Sequence, residues 1–140
     1  MKTGRTFICW LFILSLSCAK ISGEFAFKTD FSDSFRKPLR MPEIDANKKT
    51  EWIYSFKNNF EGRSIHVFIM KKEIIWIEIA AYEDFAGNEK MTIGGVIEGY
   101  APGQYRIMLI EFTSKKTIIV DEIVFMVYSE DDLEEDEERY

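Results

Sequence analysis

Hydrolytic chemistry in this chain would have to use its single histidine, His66, or its acidic side chains. Ser64 lies two positions before His66, and alternate residues of a β-strand are about 6 to 7 Å apart. That separation is too long for the hydrogen bond by which a histidine activates a serine nucleophile. We therefore expect His66 to be an exposed strand residue without a catalytic partner.

Acidic residues are plentiful in the same region, among them Glu78 and the pair Glu83 and Asp84. General acid–base catalysis needs two carboxyl groups that face each other across a cleft and differ in pKa. These acidic residues are explained more simply as solvent-exposed residues of turns and strand faces. A calcium site over residues 83–89 is a further candidate, but the segment lacks the ligand spacing of the helix–loop–helix calcium motif. We predict no catalytic residue, no cofactor site and no metal site.

The N-terminal residues have the pattern of an export signal. Lys2 and Arg5 precede an apolar run, residues 7–16, in which Ser15 is the one polar residue, and small residues follow it. The run is shorter than the roughly 20 residues that a membrane-spanning helix needs. We predict a signal peptide over residues 1–19.

Two kinds of cleavage are open at the end of this leader. Ser17, Cys18 and Ala19 offer the small residues that ordinary signal peptidase uses. The segment 14–18, Leu-Ser-Leu-Ser-Cys, resembles the box of bacterial lipoproteins, and this resemblance implies a lipid on Cys18. Because the rest of the chain has no cysteine for a disulfide, it favours the bacterial periplasm, an outer-membrane lipoprotein or a secreted protein.

From Glu51 onward, apolar and polar residues alternate in several short runs, as is typical of strands. Trp52, Tyr54 and Phe56 form one such row. The 140 residues allow one modest domain. We predict an all-β antiparallel sandwich of about six or seven strands over residues 51–129. Residues 20–50 are predicted to be a tether with a possible edge strand around Glu24.

The turn between two of these runs has a distinctive sequence. Pro102 and Gly103 favour a tight turn, and Tyr105 begins the next strand. The pattern resembles the corner of fibronectin type III and related immunoglobulin-like sandwiches. The resemblance implies an immunoglobulin-like β-sandwich in which the Tyr105 hydroxyl bonds back to the backbone of the corner.

Aromatic residues suggest a possible binding patch. Trp76, Phe68 and Tyr82 are expected on strand faces opposite the isoleucine rows, so they are either covered by a second layer or exposed as a patch.

The segment 130–140 holds eight acidic residues and is predicted to be a disordered tail. Residues 1–129 balance 17 basic against 16 acidic side chains.

We predict an exported or lipid-anchored, non-catalytic module that binds or holds a protein partner in the cell envelope or outside the cell. An exported inhibitor or a carbohydrate-binding module is a narrower alternative, and a carboxylate-based hydrolase is the alternative from another class. Membrane attachment would run through Cys18. We expect no small-molecule substrate, and no nucleic-acid partner because the domain lacks a basic surplus.

Overall fold

The computed structural model describes residues 21–29, 32–57, 63–86 and 91–129, which form eight strands. The strands are β1 (Gly23–Thr29), β2 (Glu43–Asp45), β3 (Thr50–Phe56), β4 (Arg63–Lys72), β5 (Trp76–Ala86), β6 (Thr92–Ile97), β7 (Gly103–Phe112) and β8 (Thr117–Tyr128). Within these ranges no helix is long and apolar enough to cross a membrane. The all-β prediction is confirmed.

The strands form two sheets. One has three strands in the order β1-β3-β6, and the other has five in the order β2-β8-β7-β4-β5. Neighbouring strands are antiparallel, except that β2 runs parallel to β8. The predicted sandwich architecture is confirmed, with eight strands in the described ranges where six or seven were expected.

Two of these strands lie in the segment that the sequence analysis assigned to a tether. β1 pairs with β3 along its whole length, at the place of the possible edge strand, and β2 adds to β8. Phe25 and Ile44 bring both strands into the core, where they are 6% and 3% exposed. The sandwich therefore begins before residue 51. Alternation could not reveal β2, because three residues are too few to establish a period.

The core lies between the sheets and is built from alternate residues of each strand. Along β3, Trp52, Tyr54 and Phe56 are buried while the residues between them are half-buried. The Tyr54 ring packs edge to face with two neighbours: its centroid lies 4.9 Å from that of Phe25 and 5.0 Å from that of Phe56. Such aromatic pairs add to the stabilisation from apolar burial.

A β-bulge interrupts the pairing of β4 with β5. Ile69 pairs with Ala80 and Met70 pairs with Glu78, which leaves Ile79 as an extra residue on β5. An extra residue reverses the alternation, because successive side chains of a strand point to opposite faces. The two halves of β5 therefore present opposite sets of residues to the core.

Candidate binding surface on the outermost strand

Strand β5 is one of the two edge strands of the five-stranded sheet, and the short strand β2 is the other. β5 pairs with β4 on one side, and no other strand of the described ranges pairs with its second side. It has eleven residues, about twice the usual length of a strand. The unpaired N–H and C=O groups of such a strand can bind another extended chain. We call this unpaired side of β5 and its exposed side chains the β5 edge.

Apolar side chains are exposed on both faces of β5. Ile77 is 47% exposed, Ile79 is 44% exposed and Phe85 is 61% exposed. Edge strands are commonly protected by charged side chains, especially lysine, by proline or by a bulge. β5 has the bulge at Ile79 but contains neither lysine nor proline. The β5 edge is therefore long, and it exposes apolar side chains between its acidic residues.

The turn that precedes β5 continues this apolar surface. Ile74 is 96% exposed and Ile75 is 68% exposed, and the turn is closed by the Glu73 N–H, which donates to the Ile75 carbonyl at 2.9 Å. Behind it, the Arg106 guanidinium carbon lies 4.6 Å from the centre of the Trp76 ring. This cation–π contact holds Trp76 against the sheet beside the turn.

The three aromatic residues of the predicted patch do not lie together. Trp76 pairs with Lys72 and so lies on the outer face of the sheet, the face that also carries Phe68. Tyr82 pairs with the buried Val67 and therefore lies on the core side. The bulge at Ile79 causes this difference, because it reverses the alternation between positions 76 and 82.

Tyr82 instead connects the two sheets. Its hydroxyl donates to the carbonyl of Gly94 in β6 at 3.1 Å. Burial raises the pKa of Tyr82 to about 12, so the phenol stays protonated and able to donate at neutral pH. The bond fixes the middle of β5 against the opposite sheet while the β5 edge stays open.

The β5 edge is acidic. β5 carries Glu78, Glu83 and Asp84 and no basic residue. The Ser64 hydroxyl donates to the Glu83 carboxylate, and the His66 Nε2 atom lies 3.9 Å from the Glu83 Oε1 atom. An extended chain that pairs with β5 would therefore lie next to the negative charges of these acidic side chains.

The cluster of Ser64, His66 and Glu83 differs in geometry from a hydrolase triad. In a triad the serine hydroxyl bonds to the histidine, which in turn bonds to the acid. Here the Ser64 hydroxyl bonds to the carboxylate directly, and the His66 ring packs edge-on against Phe112 with centroids 4.8 Å apart. In the described part of the chain, no three histidine, cysteine or acidic side chains are grouped to hold a metal ion.

The corner residues lie at the connection from β6 to β7. Tyr105 is 2% exposed, and its hydroxyl donates to the carbonyl of Ala101 at 2.7 Å. Gly103 has a φ of 145°, which a residue with a side chain rarely adopts. Pro102 is exposed. Cys18 and the acidic tail lie outside the described residues.

The sequence analysis did not single out the isoleucines of the β5 edge, Ile77 and Ile79, as a candidate binding surface. Their alternation with other residues does predict a strand, as observed. The position of that strand in the sheet depends on pairing with residues far away in sequence, which alternation does not contain. The lack of lysine and proline in β5 was the available signal, because these two residues commonly protect an edge strand.

Together, the folded strands and the open β5 edge define a two-sheet β-sandwich with a surface suited to strand addition. No family model and no curated protein sequence matches the chain. Among solved structures, the chain is similar to the crystal structure of the PmoD soluble domain from Methylocystis sp. ATCC 49242 (Rockwell). The TM-score is 0.52 and the identity 15%, with 74% of this chain and 89% of that chain covered. At this identity, the likeness shows a shared fold.

Proposed function

We propose that this chain is an exported, non-catalytic β-sandwich module that binds a protein partner through the β5 edge. The observation that carries the proposal is an eleven-residue outermost strand with exposed isoleucines and an unpaired backbone. An extended segment of a partner adds to such an edge as a further strand. Backbone hydrogen bonds then supply affinity, and side chains on the two faces supply specificity.

The charge of β5 defines the partner's chemistry. Glu78, Glu83 and Asp84 would lie opposite side chains of the added strand, and opposite charges across a strand pair contribute about 0.2 to 1 kcal/mol each. The partner segment therefore carries lysine or arginine between apolar residues that cover Ile77 and Ile79. A second copy of this chain fits less well, because it brings the same acids.

The like-charge conflict follows from the register of a symmetric antiparallel pair. If the pair were centred between Ala80 and Ala81, Glu78 of one copy would lie opposite Glu83 of the other. If it were centred on Ala81, Glu78 would lie opposite Asp84. Like charges directly opposite each other destabilise strand pairing, so the central registers favour a basic partner over a second copy.

Site-specific photo-crosslinking would test this function. A photoreactive residue at Ile79, in protein incubated with envelope extract, should crosslink a protein whose crosslinked peptide contains basic and apolar residues. The same photoreactive residue at Val96, a position that is 44% exposed on β6, should crosslink this partner protein only weakly. Crosslinking of the same protein from both positions, or to a peptide without basic residues, would contradict strand addition at the β5 edge.

A matched pair of charge variants sharpens the test. Glu78→Lys/Glu83→Lys reverses the charge of the β5 edge and should abolish crosslinking from Ile79. Glu43→Lys/Glu98→Lys makes the same change in net charge at exposed positions elsewhere and should preserve it. Equal loss in both variants would show that overall charge, and not the β5 edge, attracts the partner.

We propose in addition that the leader is cleaved, and that the mature protein is either released with an unmodified N-terminus or anchored to a membrane through a lipid on Cys18. The support is the positive and apolar leader and the likeness of residues 14–18 to a lipoprotein box. Intact-mass spectrometry of protein from membranes separates the two kinds of cleavage, because lipidation adds a large apolar mass at Cys18. Recovery of the chain with Met1 still present would contradict export by either route.

A further inference from the structure

A cavity of about 450 Å³ opens at the end of the sandwich where β4 begins and β7 turns into β8. Its volume falls within the range of about 300 to 1,000 Å³ that is common for ligand pockets. The pairing of Arg63 with Ala86 marks this end of the five-stranded sheet, and the pairing of Lys72 with Trp76 marks the other. The cavity is therefore separated from the turn 73–75 by the length of the sheet.

Four aliphatic side chains form the apolar part of the lining of this cavity, and its other lining residues are polar or charged. The aliphatic residues are Ile21 before β1 and Ile118, Ile119 and Val120 at the start of β8. A bulge in the β7–β8 pairing, where Ile110 pairs with Ile119, leaves Val120 as the extra residue. Because the bulge turns the strand locally, residues adjacent in sequence contribute to the same wall.

One charged pair is built into the lining. Arg63 forms a bidentate contact with Glu111, with Nε to Oε1 at 2.5 Å and Nη2 to Oε2 at 3.1 Å. Glu111 is only 5% exposed, so it would be costly to bury without this partner. Since each charge of the pair satisfies the other, the pair presents no uncompensated negative charge to a ligand.

Two further cations lie at the mouth. Lys115 and Lys116 occupy the β7–β8 turn and line the cavity, and within the described residues neither forms an ion pair. The turn itself is fixed, because the Thr113 N–H donates to the Lys116 carbonyl at 2.9 Å and the Lys116 N–H donates to the Thr113 hydroxyl at 3.0 Å. The two ammonium groups are thus attached to an ordered turn beside an apolar space.

We propose that this cavity binds a single-chain anionic amphiphile of the fatty-acid class. The hydrocarbon chain packs against the isoleucine-rich wall, and the carboxylate lies at Lys115 and Lys116. A cationic head group would be repelled by both lysines, and a neutral one would leave them without a partner. The site is independent of the β5 edge and of any protein partner.

Calorimetric titration with three probes of equal chain length tests the head-group preference. Dodecanoate should bind the full chain at least about tenfold more tightly than dodecyltrimethylammonium, because only the former complements the lysines, and dodecanol should fall between them. Segment 7–16 is apolar and follows Lys2 and Arg5, so binding of a probe to the uncleaved leader would show the same head-group preference, and the variants described next separate the two sites. Equal binding of the anionic and cationic probes would overturn the proposal.

Variants then locate the site. Lys115→Glu/Lys116→Glu should weaken dodecanoate binding by at least about tenfold, whereas Lys28→Glu/Lys72→Glu, with the same charge change at the other end of the sandwich, should not. Val120→Phe should fill the cavity and reduce binding of dodecanoate and dodecanol alike, with folding checked by circular dichroism. Unchanged binding in the lysine variant would overturn the site. Binding to phosphatidylglycerol vesicles without binding to dodecanoate would indicate a charged surface instead.

Discussion

At the scale of single residues, Tyr105 joins the β6–β7 connection to the core through both its ring and its hydroxyl. The ring stacks on Phe125 with centroids 5.4 Å apart, and the hydroxyl donates to the Ala101 carbonyl at 2.7 Å. Burial raises the pKa of Tyr105, so the phenol remains a hydrogen-bond donor well above neutral pH. One side chain thus fixes the path of the loop and fills the space beneath it.

Substitution of Tyr105 separates these two contributions. Tyr105→Phe keeps the ring and removes the donor, and should lower the free energy of unfolding by about 1 kcal/mol. Tyr105→Ala removes the ring as well and should cost about 3 to 5 kcal/mol, as expected for truncation of a buried aromatic residue. Denaturant titration measures both.

The neighbouring tyrosine supplies the control for the hydroxyl. The Tyr100 ring lies 5.2 Å from that of Tyr105, centroid to centroid, but within the described residues its hydroxyl forms no hydrogen bond. Tyr100→Phe should therefore change stability by less than about 0.5 kcal/mol. If Tyr105→Phe and Tyr100→Phe lowered the free energy of unfolding by the same small amount, the hydrogen bond to Ala101 would make no measurable contribution to stability.

At the scale of elements, β6 runs unusually close to β3 because Gly94 has no side chain. A Cβ atom at Gly94 would overlap the carbonyl oxygen of Trp52, which is backbone and cannot rotate away. Gly94 also provides the carbonyl that accepts the Tyr82 hydroxyl. This one position therefore sets the spacing within one sheet and the contact between the two.

Gly94→Ala should force β6 away from β3 and cost about 1 to 3 kcal/mol, the usual range for overpacking a filled site. Val96→Ala, on the same strand at a side chain that is 44% exposed, should change stability by no more than about 0.5 kcal/mol. Thermal unfolding of both variants compares them. Equal melting temperatures would show that β6 adjusts without loss.

Strand positions were largely predictable from the sequence, because alternation is a local signal. The last strand, Thr117–Tyr128, ends within the predicted domain 51–129, and the strand that follows Pro102 begins at Gly103, two residues before its expected start at Tyr105. Apolar residues at every second position and a Pro-Gly turn are visible in any short window of sequence. The sandwich architecture follows from the number and spacing of these strands.

The candidate site was not predictable, because it depends on pairing between distant residues. The bulge at Ile79 cannot be recognised from the apolar residues of β5, yet it places Tyr82 on the core side of the strand. Likewise, no local pattern states that β4 has β7 on one side and β5 on the other. The faces of β5 and its edge position are properties of the sheet.

At the scale of the whole molecule, the two proposed surfaces carry opposite charge. The β5 edge has three acidic residues and no basic one, whereas the β7–β8 turn places Lys115 and Lys116 at the cavity. Residues 1–129 are nearly neutral overall, so these fields are local and should weaken as salt is added. The affinity for the partner and the affinity for the amphiphile should both fall as ionic strength rises, because salt screens the acidic residues of β5 in the first case and Lys115 and Lys116 in the second.

Two carboxylates in the N-terminal strands form contacts with lysine side chains that keep them ionised. Asp45, at the end of β2, lies 2.6 Å from the Lys48 ammonium and accepts the Asn47 N–H at 2.9 Å, and both contacts lower its pKa below the ordinary 3.8. Lys57 and Lys37 likewise lower the pKa of Glu24 below 4.5. A depressed pKa contributes stability above the ordinary pKa, and that contribution is lost as pH falls through the folded-state pKa.

The free energy of unfolding should therefore decline as pH falls below about 4, and Asp45→Asn should remove part of that decline. At neutral pH the variant should be less stable than the parent, because its amide cannot form the ionic contact with Lys48. The difference in the free energy of unfolding should shrink at low pH, where the parent carboxylate becomes protonated.

Lys48→Met is the control, because it keeps the bond from the Asn47 N–H; it should lower the free energy of unfolding by less, with the same sign. Urea titrations at constant ionic strength, from about pH 7 to about pH 2.5, measure these differences. A gap between parent and Asp45→Asn that is the same at both extremes would show that Asp45 supports β2 through packing and not through its charge.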